Sequence, residues 1–434
     1  MTLLGLEDEK FKLLLETFEH PKDHLEKLRH KAWQHYLGLG LPGNHHESYR
    51  YVKLRKLFSE PFSLGIEKQF LLYPSYIYPE CQRSLIVFLN GRFSPQLSNV
   101  EALPAKVVLS PLNEAAQTYG ALINNHWTKT LKDEKDAFAS LNGALHPHGA
   151  FFYVPPNTRI EAPIQVLHLF DQEDISQIFM PRFQVFVGRQ SEVAFVSSQK
   201  HLGAAPYFIN QVFECAIEES AHVKYIQGLV GEQPHSWHFD AIRAVLKQDS
   251  TFKTVCVTEG SAGVRSDYKI SLIGENAEAS LNSISLLFDK KESHANVFMD
   301  HQAPSCRSHQ LFKTVLSDFS RASFEGKIMV RQAAQQTEAF QLNKNIFLSN
   351  HAQADSKPNL EIFADNVKAS HGATFGQLDP DQLFYMKARG FSEDLAKNLL
   401  IFGFCEEIFE MIPLSSMRKE IEEKAKQMFT HSLL

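Results

Sequence analysis

Apolar positions near the start of the chain recur at helical intervals. Phe11, Leu14, Leu15 and Phe18 stand at i, i+3, i+4 and i+7, which places them on one helix face. His24 to Leu37 continues the character, so helix is expected over about 7–58, broken at Leu41-Pro42-Gly43-Asn44. A second helical stretch is expected over 103–131, with a break near Pro111.

The period then shortens to two. From about Ala139 to Ser370 the chain reads as short strands, among them 183–187, 193–197, 222–226, 251–258, 279–287, 324–330 and 337–341. Phe324, Ile328 and Val330 fall on one face, Glu325, Lys327 and Arg331 on the other. Turn residues recur every ten to fifteen positions with no long helix between strands, which argues against a βαβ fold. A sandwich, a barrel or a β-solenoid all fit. No strict short repeat is visible, so a solenoid here has to be irregular.

Helical signals return after residue 379. Asp379-Pro380 reads as a cap followed by a first-turn proline, and Gly390 as a stop. Ser392 caps the next helix, which is expected to turn Leu395, Leu399 and Phe402 inward; Pro413 ends it. A last helix from about Ser416 offers Glu420–Lys424 and Glu422–Lys426 pairs to solvent. The expected regions are thus 1–135, helical and mixed, 136–372, the β core, and 373–434, helical.

Composition narrows the functional classes. A chain of 434 residues is too long for one ordinary core, and 44% hydrophobic residues suffice for a globular interior. A net charge of −6 with dispersed basic residues favours neither nucleic acid nor an anionic membrane. Five scattered cysteines without a CxxC argue against a disulfide framework and point to a reducing cytoplasm. The charged N-terminus is unlike a signal peptide, and no apolar run approaches a bilayer span.

Candidate chemistry is sparse. His371 stands where a strand-like run, Ile362 to Lys368, gives way to Gly372 and Gly376, and an imidazole there can ligate metal or carry a proton. Cys306 and His309 have a chelating spacing but no companions. His45-His46 and His146-Pro-His148 read as solvated loop histidines. Cys215, Cys256 and Cys405 sit in apolar runs and read as core. Gly274-Glu-Asn-Ala-Glu-Ala-Ser280 lacks the Gly-Lys pair of a phosphate-binding loop, so ATP hydrolysis is not expected of this chain.

A family resemblance adds to this. Gln310-Leu-Phe-Lys313, Ser320-Arg-Ala-Ser-Phe-Glu-Gly-Lys-Ile328, Gln335-Gln-Thr-Glu-Ala-Phe-Gln341, Asn343-Lys-Asn345, Lys357-Pro-Asn-Leu-Glu-Ile362, Ser370-His-Gly-Ala-Thr374 and Leu383-Phe-Tyr-Met-Lys-Ala-Arg-Gly390 occur in that order. Together they resemble the SufB/SufD family, the scaffold pair of bacterial iron–sulfur cluster assembly. The match is good over about 281–410, looser over 131–163 and 40–57, and weak elsewhere.

The resemblance implies a mainly β fold: a right-handed parallel β-helix core flanked by N-terminal and C-terminal α-helical regions. Asn282, Gln335, Gln336, Gln341, Asn343 and Asn345 suit polar stacking between its coils. It implies a non-enzymatic SufD-like subunit of a SufB–SufC–SufD complex, with His371 at the interface with a SufB-like paralogue. There it would meet a transient iron–sulfur cluster or iron, with no intrinsic cofactor, while reduced flavin on the complex stays open. It implies that a SufC-like ABC ATPase docks on the helical segment carrying Leu383, Phe384, Tyr385, Met386 and Arg389. Many members carry cysteine where this chain has Ala369, which places the chain on the SufD side. Two other readings stand beside this one. A β-helix carbohydrate enzyme would rely on Asp300, Asp318 and Asp365; a structural homodimer would pair edge strands across a two-fold axis.

Overall fold

The alternating segments form strands that wind into a parallel β-helix. A computed structural model describes residues 6–18, 21–43, 46–64, 74–171, 175–231 and 235–431. From Ala150–Val154 onward, successive strands mostly alternate between two sheets. The first sheet ends with Arg321–Val330 and then Gln353–Ile362; the second ends with Thr337–Phe347 and then Val367–Gly376. Pairing between coils is parallel throughout, so every strand repeats the register of the one beneath it.

Repetition of register stacks like on like. In the first sheet Val185, Cys215, Ala244, Ile270, Met299, Ile328 and Leu360 form one column. In the second sheet one column runs Phe195, Tyr225, Thr254, Leu281, Gln310, Gln341 and His371, and it meets the first-sheet column of Phe183, Phe213 and Gly326. The apolar members close the interior. Where polar residues enter, they bond from coil to coil: the Gln341 amide donates to Gln310 Oε1 at 2.8 Å, and Asn343 Nδ2 to the Phe312 carbonyl at 3.2 Å. A buried amide without such a partner would be costly, so the ladders are what make polar columns tolerable here.

One turn recurs in every coil. Asn157, Gln190, Ser220, Asp249, Asn276, Ser305 and Gln336 all have positive φ. Each donates its N–H to a carbonyl in the next turn, Asn157 to Arg189, Ser220 to Gln248 and Gln336 to Asn366 among them. The left-handed conformation costs little for Asn and Asp and more for Gln, and the stacked bond offsets that cost.

Helices cover the outer faces. On the first sheet lie Glu26–Leu39, Leu54–Ser59, Leu112–Lys132 and Ala137–Leu145, packed through Phe138, Phe208, Phe239 and Trp127. On the second lie Glu393–Phe409 and Ser415–His431, packed on Val255, Ile284, Leu311 and Val315. A buried ionic network clamps the N-terminal helices to the first sheet. Arg243 pairs with Glu134 and Asp267, and Arg265 pairs with Asp136 and Asp267, all within 2.7–2.8 Å. The Arg265 guanidinium also lies over the Tyr49 ring at 4.0 Å.

Three expectations are corrected. Residues 103–131 are not one broken helix: Val108–Pro111 is a strand paired antiparallel with Ala150–Val154, and the helix starts after it. Pro111 thus ends a strand and sits before the first helical turn. Leu395 and Leu399 face outward, because the stripe Ala396, Ile401, Cys405, Ile408 and Phe409 meets the sheet instead. Glu420 bonds Lys200 at 2.8 Å and the Tyr78 hydroxyl at 2.9 Å rather than facing solvent beside Lys424, while Glu422 pairs with Arg418.

The two ends of the solenoid differ. At the N-terminal end the second sheet is extended by Leu85–Leu89 and closed by an antiparallel Arg92–Phe93, and the first by the antiparallel 108–111 strand. At the C-terminal end 353–362 and 367–376 each have a sheet partner on one side only among the described residues.

Candidate functional site

The open end is built from the last coil. Strand parity puts Ala369, His371, Ala373 and Phe375 on the inward columns of the second sheet, above Ala339, Gln341, Asn343 and Asn345. In any lower coil these positions are buried; here no further coil covers them, and His371, Ala373 and Phe375 are exposed. The facing edge supplies Pro358, Leu360 and Ile362. His371 therefore caps a column rather than lying on the outer wall. Beneath it in register is Gln341, whose amide nitrogen is fixed by Gln310 and whose buried Oε1 has no hydrogen-bond partner among the described residues.

One imidazole is not a cluster site. Ala369, two positions before His371, packs partly buried against the core and offers no ligand atom. All five cysteines are buried. Burial pushes the Cys81 and Cys256 thiols up to about 12. Among the described residues no group of three or more His, Cys, Asp or Glu side chains could hold a metal ion. Any metal held at His371 needs donors beyond those that the described residues supply.

The other candidates do not assemble. Cys306 lies in the interior with its thiol directed at the Gly274 carbonyl, 3.2 Å away, while His309 is exposed on the outer face, so the pair does not chelate. The opposite strand faces explain this failure. His146 is not a solvated loop residue. It is fully buried against Trp127, its Nδ1 lies 3.0 Å from the Asn142 carbonyl, and burial beside Arg29 and Arg182 holds it well below the usual imidazole range. His46 and His148 are exposed, and His45 lies outside the described residues. Asp300 is taken by Arg331 at 2.9 Å, and Asp318 accepts from the Asp289 amide in a turn; Asp365 is exposed, and among the described residues the three form no group that could hold a metal.

The helix after the open strand, Pro380–Ala388, has no buried residue. Asp379 caps it through the Asp381 amide, and Gly390, at φ +92°, ends it. Phe384 and Tyr385 are 73% and 59% exposed, and Leu383 and Met386 half-buried. Arg389 is held over the Tyr385 ring at 4.8 Å and donates to its hydroxyl at 2.7 Å. Exposed Phe391, Leu395 and Leu399 follow in the chain. A short helix that buries nothing of its own and exposes two adjacent aromatics has the composition of a contact surface. The expected surface comprised Leu383, Phe384, Tyr385, Met386 and Arg389; Leu395 and Leu399 were expected to turn inward, and Phe391 carried no expectation.

Known proteins resemble this chain along most of its length. The family model for the SufBD core domain of SUF-system iron–sulfur cluster assembly matches residues 168–404, and that for the SufBD N-terminal region matches 12–166. An iron–sulfur cluster assembly SufBD family protein of Synechocystis is 31% identical over 89% of this chain and 87% of its own. The iron–sulfur cluster assembly protein SufD of Escherichia coli is 28% identical over 89% of each chain. The SufB protein of Bacillus subtilis is 23% identical over 77% of this chain and 73% of its own.

Proposed function

The chain belongs to the SufBD family of iron–sulfur cluster assembly proteins as a SufD homologue, and from that membership we propose that it is a scaffold subunit without catalysis of its own. The observation that carries the reading is the asymmetry of the solenoid. One end is capped by antiparallel strands, and the other is left open with His371 over its mouth. An open strand edge has unpaired N–H and C=O groups and invites another strand. A SufB-type paralogue with the same register is the partner whose end would continue the coil. It would bring the thiolates that this chain lacks, and His371 would add one neutral nitrogen donor to iron or a nascent cluster, or carry a proton beside it.

The exposed helix 380–388 is the second contact, for a SufC-type ATPase. Its aromatics, Phe384 and Tyr385, would fill a groove, and Arg389, already oriented by Tyr385, would lie at the rim. ATP-driven movement of that ATPase would pull on a helix joined to the open strand by three residues, 377–379, and so reach His371 directly. Without its paralogue the open edge has no stranger to choose, and pairing with a second copy of this chain is expected.

The test separates the two contacts. Co-purification of the chain with both partners should yield a three-component complex. Phe384→Ala with Tyr385→Ala should lose the ATPase and keep the paralogue. If the double variant retains the ATPase at undiminished yield, the assignment of that helix is wrong.

A further inference from the structure

Away from the open end, the outer face of the first sheet carries a cleft of about 500 Å³ beside helix 112–132. Its floor is regular. Ala216, Val245 and Ser271 are register neighbours on three adjacent strands, with Phe186 next in the same row. At ~4.8 Å between strands the three small side chains give a flat shelf about 10 Å long. The wall is one face of the helix, where Leu122, His126 and Lys129 follow at four- and three-residue steps.

The rim is cationic. Lys129 and Lys132 are exposed and form no ion pair among the described residues. Lys269, two residues before Ser271 on its strand, also lines the cleft, its Nζ donating to the Asp133 carbonyl at 2.5 Å. Lys247 is neutralised by Glu218 at 2.6 Å, and Arg243 by Glu134 and Asp267. Asp133 is the one lining carboxylate left to oppose three lysines. His126 packs its ring edge-on to Phe186, and its buried Nε2 has no hydrogen-bond partner among the described residues.

A flat apolar shelf beneath a ring of lysines selects for shape and charge together. We propose that this cleft binds a planar heteroaromatic anion of the nucleotide class. The ring lies on Ala216, Val245 and Ser271, and the phosphate is held by Lys129 and Lys132. Neither half suffices alone: a bare phosphate would have only surface lysines, and a bare ring would leave them unused. The site is independent of His371 and of the reading given to the open end.

The intact chain titrated with ADP by calorimetry tests this, with pyrophosphate and adenosine as separate arms. ADP should saturate one site, and each fragment should bind at least about tenfold more weakly. Ala216→Phe should fill the shelf, and Lys129→Glu with Lys132→Glu should reverse the rim. Each should weaken ADP by at least about tenfold, and the lysine variant, altered only at exposed positions, should keep the native circular dichroism. Absence of saturation at millimolar ADP overturns the proposal. So does binding indifferent to the lysine variant, or pyrophosphate or adenosine binding as tightly as ADP.

Discussion

Burial decides what each histidine and cysteine can do. His371 is exposed because the coil above it is absent; His168 and His301, inside the solenoid, are held down to about 3 and about 4 by burial. A histidine whose folded pKa is depressed must stay neutral to remain buried, while the unfolded chain takes up the proton at its ordinary value near 6.5. Stability is therefore complete above about pH 6.5 and falls as pH drops toward the folded values, by up to about 1.4 kcal/mol per unit for each such group. Urea unfolding at pH 7.5 and 5.5 should show this loss. His168→Phe, which keeps the ring stack with Phe88, should remove part of it. The cysteines make a second prediction: with all five buried and Cys81, Cys215, Cys256 and Cys405 pushed up, none should react with a thiol reagent until the protein is unfolded. Residue chemistry was partly legible in the sequence. Apolar neighbours marked Cys215, Cys256 and Cys405 as core, but His146-Pro-His148 looked solvated because a turn dipeptide gives no sign that a helix packs over it.

At the scale of elements, alternation made the strands readable and the helical intervals made the terminal helices readable. The coil repeat stayed hidden, because it lives in backbone conformation. Seven turns share a left-handed residue, yet Asn157, Gln190, Ser220, Asp249, Asn276, Ser305 and Gln336 are of four residue types. Gly274 shows the same point. A Cβ there would stand 2.0 Å from the Gln248 backbone nitrogen of the adjacent coil. Gly274→Ala should accordingly cost about 1–3 kcal/mol or more in unfolding free energy, since backbone must move. The ionic clamp was also invisible, as Glu134, Asp136, Arg243, Arg265 and Asp267 meet only through the fold. Arg265→Ala leaves Asp136 buried without its cationic partner, while Asp267 keeps Arg243, and should destabilise by about 3–5 kcal/mol, measured by denaturant unfolding.

The whole molecule is a coil stopped at one end and unfinished at the other. Family resemblance supplied the β-helix where the strand pattern left three architectures open, and it supplied His371 where a lone histidine said little. What neither supplied is why that histidine is accessible: it occupies a core column at the one level that has no lid. If the open end is where the paralogue joins, a charge placed there should block joining without unfolding the chain. Ala373→Lys, on the same edge face and exposed, should weaken association with a SufB-type paralogue by at least about tenfold while leaving the thermal midpoint within the small range usual for surface changes.

The most direct measurement is anaerobic cluster reconstitution on the complex of this chain with its SufB-type and SufC-type partners, comparing the native protein with His371→Ala. The account predicts that the complex assembles equally in both cases and that cluster yield, followed by visible absorption, falls sharply in the variant. Equal yields from equally assembled complexes would contradict it and leave the chain an architectural subunit.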